Sequence, residues 1–339
     1  MRPAPRGTGA IPKFLFDNAV DDDQSIGVHT VWSDANTVRK ELTEHVMDAT
    51  AIFSISAWRP ASDVLFDWGI VFIATFCAFR AGIPTCLIAL CIVGNRQRAL
   101  GNLLHEAAHR NLYRSAQLND WLAAVFLGPP LTSDLGLYRG IHARHHALLG
   151  QQGQDPDLIV PAAGAQCMWW SIYRRQFASV QIWLGSVLGQ LGDRRLTWGR
   201  RARIGIWWAT LVALLVAAKG ISFAIFFVSL WFAAKATTFH VITTFREMCD
   251  HFGLRPGGIY TFTRDMVVAR CWCGLIHPHN NGYHLSHHLM PSVPYYRLPA
   301  AQKLLTRLPS YARNAVVCDS YFSGGSAVIR QRSNAMEAN

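Results

Sequence analysis

Four apolar runs, arranged in two pairs, dominate the pattern of hydrophobic and polar positions along the chain. These runs are residues 64–79, 81–94, 204–218 and 221–234. Each is somewhat shorter than the ~20 residues that a transmembrane helix needs, but flanking residues can extend it. A single helix over 202–245 would be roughly 66 Å long, about twice the ~30 Å hydrocarbon thickness. Each pair therefore predicts a helical hairpin, and the chain predicts four transmembrane helices.

Composition and charge support a membrane protein. The chain is 51% hydrophobic and only 16% charged, against about 25% charged in a typical soluble domain. Its net charge is +11, and the basic residues flank the apolar runs, which suits anionic lipid headgroups better than nucleic acid. Residues 100–203, between the hairpins, contain eleven arginines and no lysine. The positive-inside rule places this segment, and with it both termini, in the cytosol.

Two further apolar stretches are not counted as spans. The stretch at 121–131 is too short to cross the bilayer and is broken by Pro129 and Pro130. Residues 165–191 carry two arginines in the middle and spread aromatic side chains along their length. This composition favours a pair of interfacial helices over a fifth span.

The chain divides into three predicted regions. Residues 1–59 form a cytosolic segment without the apolar core of a signal peptide, residues 60–310 a membrane domain, and residues 311–339 a tail. Residues 295–308 predict an amphipathic helix on the membrane surface, and the polar residues 320–339 predict a loosely ordered end. The eight cysteines contain no CxxC pair, so they predict reduced thiols rather than a disulfide framework.

Eight of the fourteen histidines fall into three clusters with the spacing of metal ligands. They are His105 and His109; His142, His145 and His146; and His284, His287 and His288. Side chains at i, i+3 and i+4 of a helix project from one face, so each cluster can converge on one point. The crossing count places all three clusters on the same side of the membrane.

Eight imidazoles are too many for one ion and predict two metals. Imidazole suits iron, zinc, copper and nickel. Iron is the natural choice where open coordination positions activate oxygen, although the sequence alone leaves zinc open. The first cluster, with Glu106, also matches the HExxH motif of zinc proteases. A protease has no use for two HxxHH clusters, so an intramembrane zinc protease is kept only as the least favoured alternative. A metal carrier would need polar residues along its spans, and those here are nearly all apolar apart from Asp67.

With HEAAH, HARHH and HLSHH in this order around two hairpins, the chain resembles the membrane-bound fatty acid desaturase and hydroxylase family. The stretches GQDPDL and HNNGYHLSHHLMPSVPYYRLP also look like the family, and the resemblance covers roughly residues 60–310. It implies an all-α integral membrane protein with four transmembrane helices and a cytosolic helical cap that carries the boxes. It also implies a di-iron centre on the cytosolic side that uses O₂ and two electrons to oxidise a fatty acyl chain or a similar lipid.

Desaturation is the main functional prediction, and hydroxylation by the same kind of centre is the alternative. The haem-binding HPGG motif of some members is absent, since residues 255–258 are RPGG. Rubredoxin-type cysteine pairs are absent as well. The electrons are therefore expected from a separate protein, a ferredoxin or a cytochrome with its reductase, and the cationic cytosolic face could bind an acidic donor.

The resemblance also implies a ninth ligand, His251, with Glu247 beside the metal. The two residues are i and i+4 in TFREMCDHFGLRP and share a helix face. Glu247 stands where the acyl-CoA branch has Asn, so it could bind iron, hold a water, or pair with Arg246 or Arg255. The neighbouring Asp250 is expected to point about 100° away from His251.

The remaining polar candidates have weaker motifs. Glu106, Asp155 and Asp157 could orient imidazoles; the alternatives are a surface charge for Glu106 and a turn at Pro156 for the two aspartates. His277 and His279 are expected to have no metal role. His29, His45 and His240 lack a partner motif, and His240 is read as a core residue.

Overall fold

The computed structural model describes residues 22–45, 50–159 and 168–330, and of residues 22–29 and 45 only the helical backbone. The described chain is mostly helical, with two short strands. Its helices are α1 (Asp22–His45), α2 (Arg59–Ala81), α3 (Ile83–Ala108), α4 (Ala116–Leu122), α5 (Leu135–Ala147), α6 (Trp169–Phe177), α7 (Val180–Leu188), α8 (Trp198–Lys219), α9 (Ile221–Ala234), α10 (His240–His251), α11 (Ile259–Phe262), α12 (Arg270–Ile276), α13 (His284–Leu289), α14 (Leu298–Leu305) and α15 (Pro309–Asn314). The strands β1 (Asp265–Met266) and β2 (Val317–Cys318) pair in parallel.

Both predicted hairpins are present, and each turns at a glycine. Gly82 separates α2 from α3 with φ = 86°, and Gly220 separates α8 from α9 with φ = 85°. Residues with a Cβ rarely adopt such angles, which explains glycine at both turns. The amide of each glycine donates to the last turn of the preceding helix, to Ala78 and Val216 respectively. The break at Gly220 thus divides the long apolar stretch as the bilayer thickness requires.

Three of the described helices are long and apolar enough to cross a membrane: Arg59–Ala81, Trp198–Lys219 and the continuous Ile221–His251. The chain is therefore a membrane protein. Helix α3 does not meet the same standard, because Arg96, Arg98 and Glu106 interrupt its second half. Its first half is apolar and outward-facing, so a fourth span remains a prediction.

The last apolar helix continues well beyond the predicted run at 221–234. Residues Lys235–Phe239 form a π-helical turn that joins α9 to α10 without a break. Helix α3 approaches this turn closely at Gly94, where a Cβ would lie 2.5 Å from the side chain of Thr238. A larger residue at position 94 would force the two helices apart. The extension places α10, and therefore His251, next to the second half of α3.

Residues 121–131 do not span, as predicted, and form a broken segment tied to the apolar helices. A π-helical turn covers Ala123–Leu127 and a 3-10 turn covers Pro129–Leu131. Four indole N–H groups donate to its backbone carbonyls: Trp68 to Phe126, Trp207 to Val125, Trp208 to Pro129 and Trp231 to Pro130. These bonds satisfy carbonyls that irregular backbone beside a membrane would otherwise leave unpaired.

The stretch at 165–191 also follows the prediction in part, since it forms the two helices α6 and α7 rather than one span. Residues 160–167 lie outside the described chain. His240 is a buried core residue, as expected. Its imidazole contacts Ser186 Oγ at 2.8 Å and the carbonyl of Phe177 at 2.9 Å, and so fastens α10 to both helices.

Two predictions about the C-terminal part have different outcomes. The amphipathic helix expected over 295–308 is present in a shorter form, Leu298–Leu305, with Leu305 and Leu308 buried against protein and Lys303 and Arg307 exposed. Its position on the membrane surface stays a prediction.

The prediction of a loosely ordered end at 320–339 is wrong for its described part. Residues 320–330 are not loose, because Tyr321 and Val328 are buried in the core. The pairing of β2 with β1 holds this segment against the fold. Residues 331–339 lie outside the described chain.

Helix α1 is likewise part of the fold and packs beside α11 and α15. The Asp34 carboxylate accepts the amide of Ile259 at 2.7 Å. The Glu41 carboxylate accepts the amide and the hydroxyl of Ser310, at 3.1 Å and 2.6 Å. The predicted regions 1–59, 60–310 and 311–339 are therefore in direct contact in the structure.

Candidate metal centre

Four separate segments carry the nine predicted histidine ligands to one place. His105 lies in the last turn of α3, and His109 directly follows that helix. The second cluster lies on α5 and the third on α13. His251 is the last residue of α10. Because α3 and α10 both extend beyond apolar helical segments, the site lies at the ends of those segments.

The nine histidines form two groups. We call them the five-histidine group (His105, His109, His142, His146 and His287) and the four-histidine group (His145, His251, His284 and His288). Within each group, one ring nitrogen per residue lies within 4.8 Å of those of all the others. Among the described residues, Glu247, His277 and His279 belong to neither group. The structure thus brings together every histidine that the sequence nominated, including His251.

The Nε2 atoms are the ones that converge. In the five-histidine group, the Nε2–Nε2 distances are 2.8 Å from His142 to His109, 3.0 Å from His146 to His142 and 3.2 Å from His287 to His146. In the four-histidine group, His284 Nε2 lies 3.0 Å from His251 and 3.1 Å from His288. Imidazole nitrogens at these separations share either a proton, in an N–H···N hydrogen bond, or a metal cation. Rings whose proton lies on Nδ1 leave only the cation.

A buried atom without a partner supports the same interpretation. His105 Nε2 is buried and has no hydrogen-bond partner among the described residues, whereas buried polar atoms normally have one. It belongs to the five-histidine group, where a metal ion would take it up. The donor set and this orphaned nitrogen both fit a pair of metal ions.

Several Nδ1 atoms are held by oxygen atoms on the opposite side of the ring. His145 Nδ1 donates to Asp155 at 2.7 Å, His251 Nδ1 to the carbonyl of Phe262 at 2.8 Å, and His105 Nδ1 to Glu106 at 3.3 Å. A proton fixed on Nδ1 leaves the Nε2 lone pair free for a metal. This arrangement is typical of metal-binding histidines in proteins.

Burial keeps most of these imidazoles neutral. It lowers the pKa of His142, His146, His284, His287 and His288 well below the ordinary value, and neighbouring histidines lower each further. Burial also lowers the pKa of His145, but the hydrogen bond to Asp155 and the charges of Asp155 and Asp157 outweigh it and raise the pKa overall. Neutral imidazole is the form that binds metals.

Three carboxylates support the imidazoles. Glu106 is buried and contacts His105, so the alternative of a surface charge is wrong. Asp155 accepts His145 and also the amides of Gly150 and Asp157, and thus combines both proposed roles, imidazole partner and turn residue. Asp157 is half exposed, with its carboxylate 3.8 Å from His145 Nδ1.

Asp250 is the carboxylate that sequence reasoning undervalued. It is fully buried, pairs with Arg246 at 2.7 Å, and lies 3.7 Å from Nδ1 of His284. Asp250 points away from His251, as expected for neighbouring residues of α10. It nevertheless reaches the four-histidine group, because α13 brings His284 to it from another part of the chain. The only signal in the sequence was the i+4 spacing of Asp250 from Arg246.

Glu247 lies beside the four-histidine group without joining it. It lines a cavity of about 200 Å³ together with His145, His251 and His284. None of the ion pairs among the described residues involves Glu247, so the expected alternatives of pairing with Arg246 or Arg255 do not appear there. Its side chain remains accessible because it faces this cavity.

The other two histidines near the third cluster have different partners. His277 is buried between Asp250, at 3.4 Å, and the hydroxyl of Tyr321, at 2.5 Å. His279 Nε2 contacts the buried carboxylate of Asp67 at 2.8 Å, and Arg96 pairs with the other oxygen of Asp67. Both histidines thus connect polar groups outside the two groups. The side chains of His29 and His45 lie outside the described part of the chain.

The sequence profile of the fatty acid desaturase family matches residues 81–318, which include all nine histidines. The chain belongs to the fatty acid desaturase family. It is 27% identical over 268 residues to the dihydrorhizobitoxine desaturase of Bradyrhizobium elkanii, covering 70% of this chain and 72% of that protein. It is 24% identical over 332 residues to a Delta(5) fatty acid desaturase of Caenorhabditis elegans, covering 86% of this chain and 71% of the relative.

Membership in the fatty acid desaturase family makes the chain an oxidoreductase. The family is membrane-bound, acts on lipid substrates and is generally iron-dependent, which agrees with the apolar helices and the histidine groups. The two relatives act on differently named substrates, so the family alone leaves the substrate of this chain open.

Proposed function

We propose that this chain uses O₂ and two electrons to desaturate an unactivated position of a fatty acyl chain or a similar lipid, at a di-iron centre. The observation that carries the proposal is the convergence of nine imidazoles from four segments into two adjacent groups. One group would hold each iron, with His105, His109, His142, His146 and His287 at one, and His145, His251, His284 and His288 at the other.

The number of donors favours iron over zinc. Zinc in proteins is almost always four-coordinate, and the five-histidine group offers more imidazoles than a tetrahedral ion accepts. Iron takes imidazole ligands and accommodates higher coordination numbers. The same count argues against an HExxH protease, which needs two helix histidines, one further ligand and a single zinc.

When bound, the iron pair would supply the oxidising power. One O₂, two electrons and two protons combine with two hydrogen atoms from neighbouring substrate carbons to give two water molecules and a double bond. The chain's own residues supply the geometry. Asp155, Glu106 and the carbonyl of Phe262 hold imidazole rings in the orientation that presents Nε2. Glu247 lines the cavity beside the four-histidine group and would hold a proton or a water there.

Orientation and electron supply complete the proposal. The site would face the cytosol, with both termini on that side and four spans. Reporter fusions after residues 110, 200 and 290 should all report the cytosol. An external signal at 290 with a cytosolic one at 110 would contradict this topology. A separate ferredoxin, or a cytochrome with its reductase, would supply the electrons, and the net charge of +11 favours an acidic donor.

The test compares hosts that express the wild-type chain and His288→Ala. Product analysis should show new unsaturation with the wild type only, and metal analysis should give two irons per purified wild-type chain. A new alcohol would indicate hydroxylation by the same centre, the alternative activity. A single zinc, or identical product profiles in the two hosts together with no bound iron, would refute the proposal.

A further inference from the structure

The cavity that reaches the histidines is small and has several charged side chains among apolar ones in its wall. Its volume is about 200 Å³, below the roughly 300–1,000 Å³ of sites that enclose drug-sized ligands. Besides histidines and Glu247, its wall includes Arg98, Lys235, Arg246 and Asp157. The small volume and these charged groups suit a short chain with a charged end better than a long hydrocarbon chain.

Lys235 is the unusual member of this wall. It is 1% exposed and lies in the π-helical turn Lys235–Phe239, within the span-length helix Ile221–His251. A charged residue inside such a helix is costly and commonly marks a functional site. Its position directly after the apolar run 221–234, and before further apolar residues of the same helix, was the signal that the sequence offered.

The partners of Lys235 leave its charge uncompensated. The Nζ atom donates to the carbonyl of Leu131 at 2.9 Å and to Thr132 Oγ1 at 2.7 Å, both neutral oxygens. Among the described residues, no carboxylate forms an ion pair with it. An ammonium carries three N–H donors, so one remains beyond these two bonds. A buried cation with neutral partners is a good site for an incoming anion.

The other cations of the wall are already engaged. Arg246 pairs with Asp250 at 2.7 Å. Arg98 donates to the neutral Asn102 Oδ1 at 2.6 Å and 3.1 Å, but the carboxylates of Glu247 and Asp250 lie close enough to stabilise its charge. Asp157 and Glu247 would repel an anion at the histidine end of the cavity. Lys235 is therefore the wall residue at which a negative group gains most.

We propose that Lys235 binds the free carboxylate of a short aliphatic substrate and thereby positions its carbon chain toward the histidine groups. The inference rests on the proposed oxidation and narrows its substrate. The acyl group enters as a free acid of limited length, and neither an ester nor a thioester carrier is bound in this cavity. The distance from the ammonium to the metals then selects which carbons react.

Three probes test this on the purified chain in nanodiscs. Hexanoate carries the carboxylate, methyl hexanoate removes its charge, and dodecanoate doubles the chain length. Binding is measured calorimetrically and checked by the shift in melting temperature. Hexanoate should bind the wild type at least tenfold more tightly than methyl hexanoate, and more tightly than dodecanoate. Equal binding of hexanoate and methyl hexanoate, or tighter binding of dodecanoate, would overturn the proposal.

Substitutions test whether Lys235 is responsible for the preference for hexanoate over methyl hexanoate. Lys235→Met should abolish the preference for hexanoate, and Lys235→Arg should retain part of it because it keeps the cation. Lys219→Met, which removes an exposed lysine at the end of α8, should leave it unchanged. A carboxylate that bound to the metals instead would keep its preference in Lys235→Met, which would refute the role of Lys235. If Lys235→Met does not fold, Lys235→Gln takes its place, because it removes the charge but keeps a side-chain donor for Leu131 and Thr132.

Iron content separates this inference from the proposed function. Lys235 is not among the histidine groups, so Lys235→Met should retain as much iron as the wild type. Loss of the hexanoate preference with iron retained supports the inference. A wild type that holds two irons and forms unsaturated product but lacks the preference refutes only the inference, whereas a wild type without iron refutes the proposed function.

Discussion

The two histidine groups use the same ligand type but differ in how the protein holds them. All four members of the four-histidine group are buried, whereas His109 and His146 of the five-histidine group are partly exposed. The four-histidine group has close oxygen partners on two rings, from Asp155 and Phe262, with Asp250 near a third. The five-histidine group has one carboxylate partner, Glu106, at a longer distance.

This difference suggests two ways to build a metal site. The five-histidine group offers more imidazole donors, but fewer of its rings are held by oxygen partners. The four-histidine group has fewer donors, and its oxygen partners fix the ring orientations before a metal binds. The cavity also contacts the two groups differently, since three members of the four-histidine group line it but only His105 and His142 of the other. We therefore expect the substrate to react nearer the four-histidine site.

The largest expected effect comes from removing one ligand of each group, with His287→Ala and His288→Ala. Each variant should form no detectable product and should lose one iron per chain, because each removes a ligand from a different group. Elemental analysis of the purified protein and product analysis measure both. His240→Ala is the control, since His240 is buried but contacts Ser186 and Phe177 instead. Two irons with normal activity in either ligand variant would show that the assignment to groups is wrong.

Glu247→Gln is expected to separate turnover from metal binding. Glu247 lines the cavity but belongs to neither group, so both irons should remain. Turnover should fall by about 100-fold if the carboxylate moves a proton, the low end of such effects. Metal content and single-turnover rates measure the two quantities. His251→Ala is the comparison, because it should lose an iron. Normal turnover of Glu247→Gln would remove Glu247 from the reaction.

Asp155→Asn tests whether orientation matters at the four-histidine site. Loss of the charge that holds His145 should weaken iron binding there by about 10–100-fold. A chelator titration that follows the remaining iron measures this. The matched control is Asp157→Asn, because that carboxylate is half exposed and 3.8 Å from the same nitrogen. An equal effect of both substitutions would show that general negative charge, not the close hydrogen bond, supports the site.

Glu106→Gln should have the smallest effect of the series. Its contact with His105 is 3.3 Å, against 2.7 Å for Asp155 and His145. Gln can still accept the amide of Tyr295, so the local fold is kept. Iron binding at the five-histidine group should weaken by no more than about tenfold, measured in the same titration. A loss larger than that of Asp155→Asn would reverse the proposed difference between the groups.

Much of the fold follows from local sequence features. The lengths of the apolar runs and the glycines at 82 and 220 predict both hairpins, because chain geometry and bilayer thickness leave few alternatives. The expectation of a loosely ordered end failed because local composition does not record tertiary packing. Residues 320–330 are polar enough to resemble a tail, yet Tyr321 and Val328 pack into a core built from distant segments.

The sequence by itself indicated which residues come together: eight histidines spaced by helical turns, and a ninth, His251, through the resemblance to the family. Only the tertiary structure decided how they divide. His145 and His146 are neighbours on α5 but belong to different groups, and so do His287 and His288 on α13. Consecutive residues of a helix point about 100° apart, so the group that each joins depends on how α3, α5, α10 and α13 pack. That packing arises from long-range contacts that no local spacing records, and it also brought Asp250 to His284 and Lys235 to the cavity.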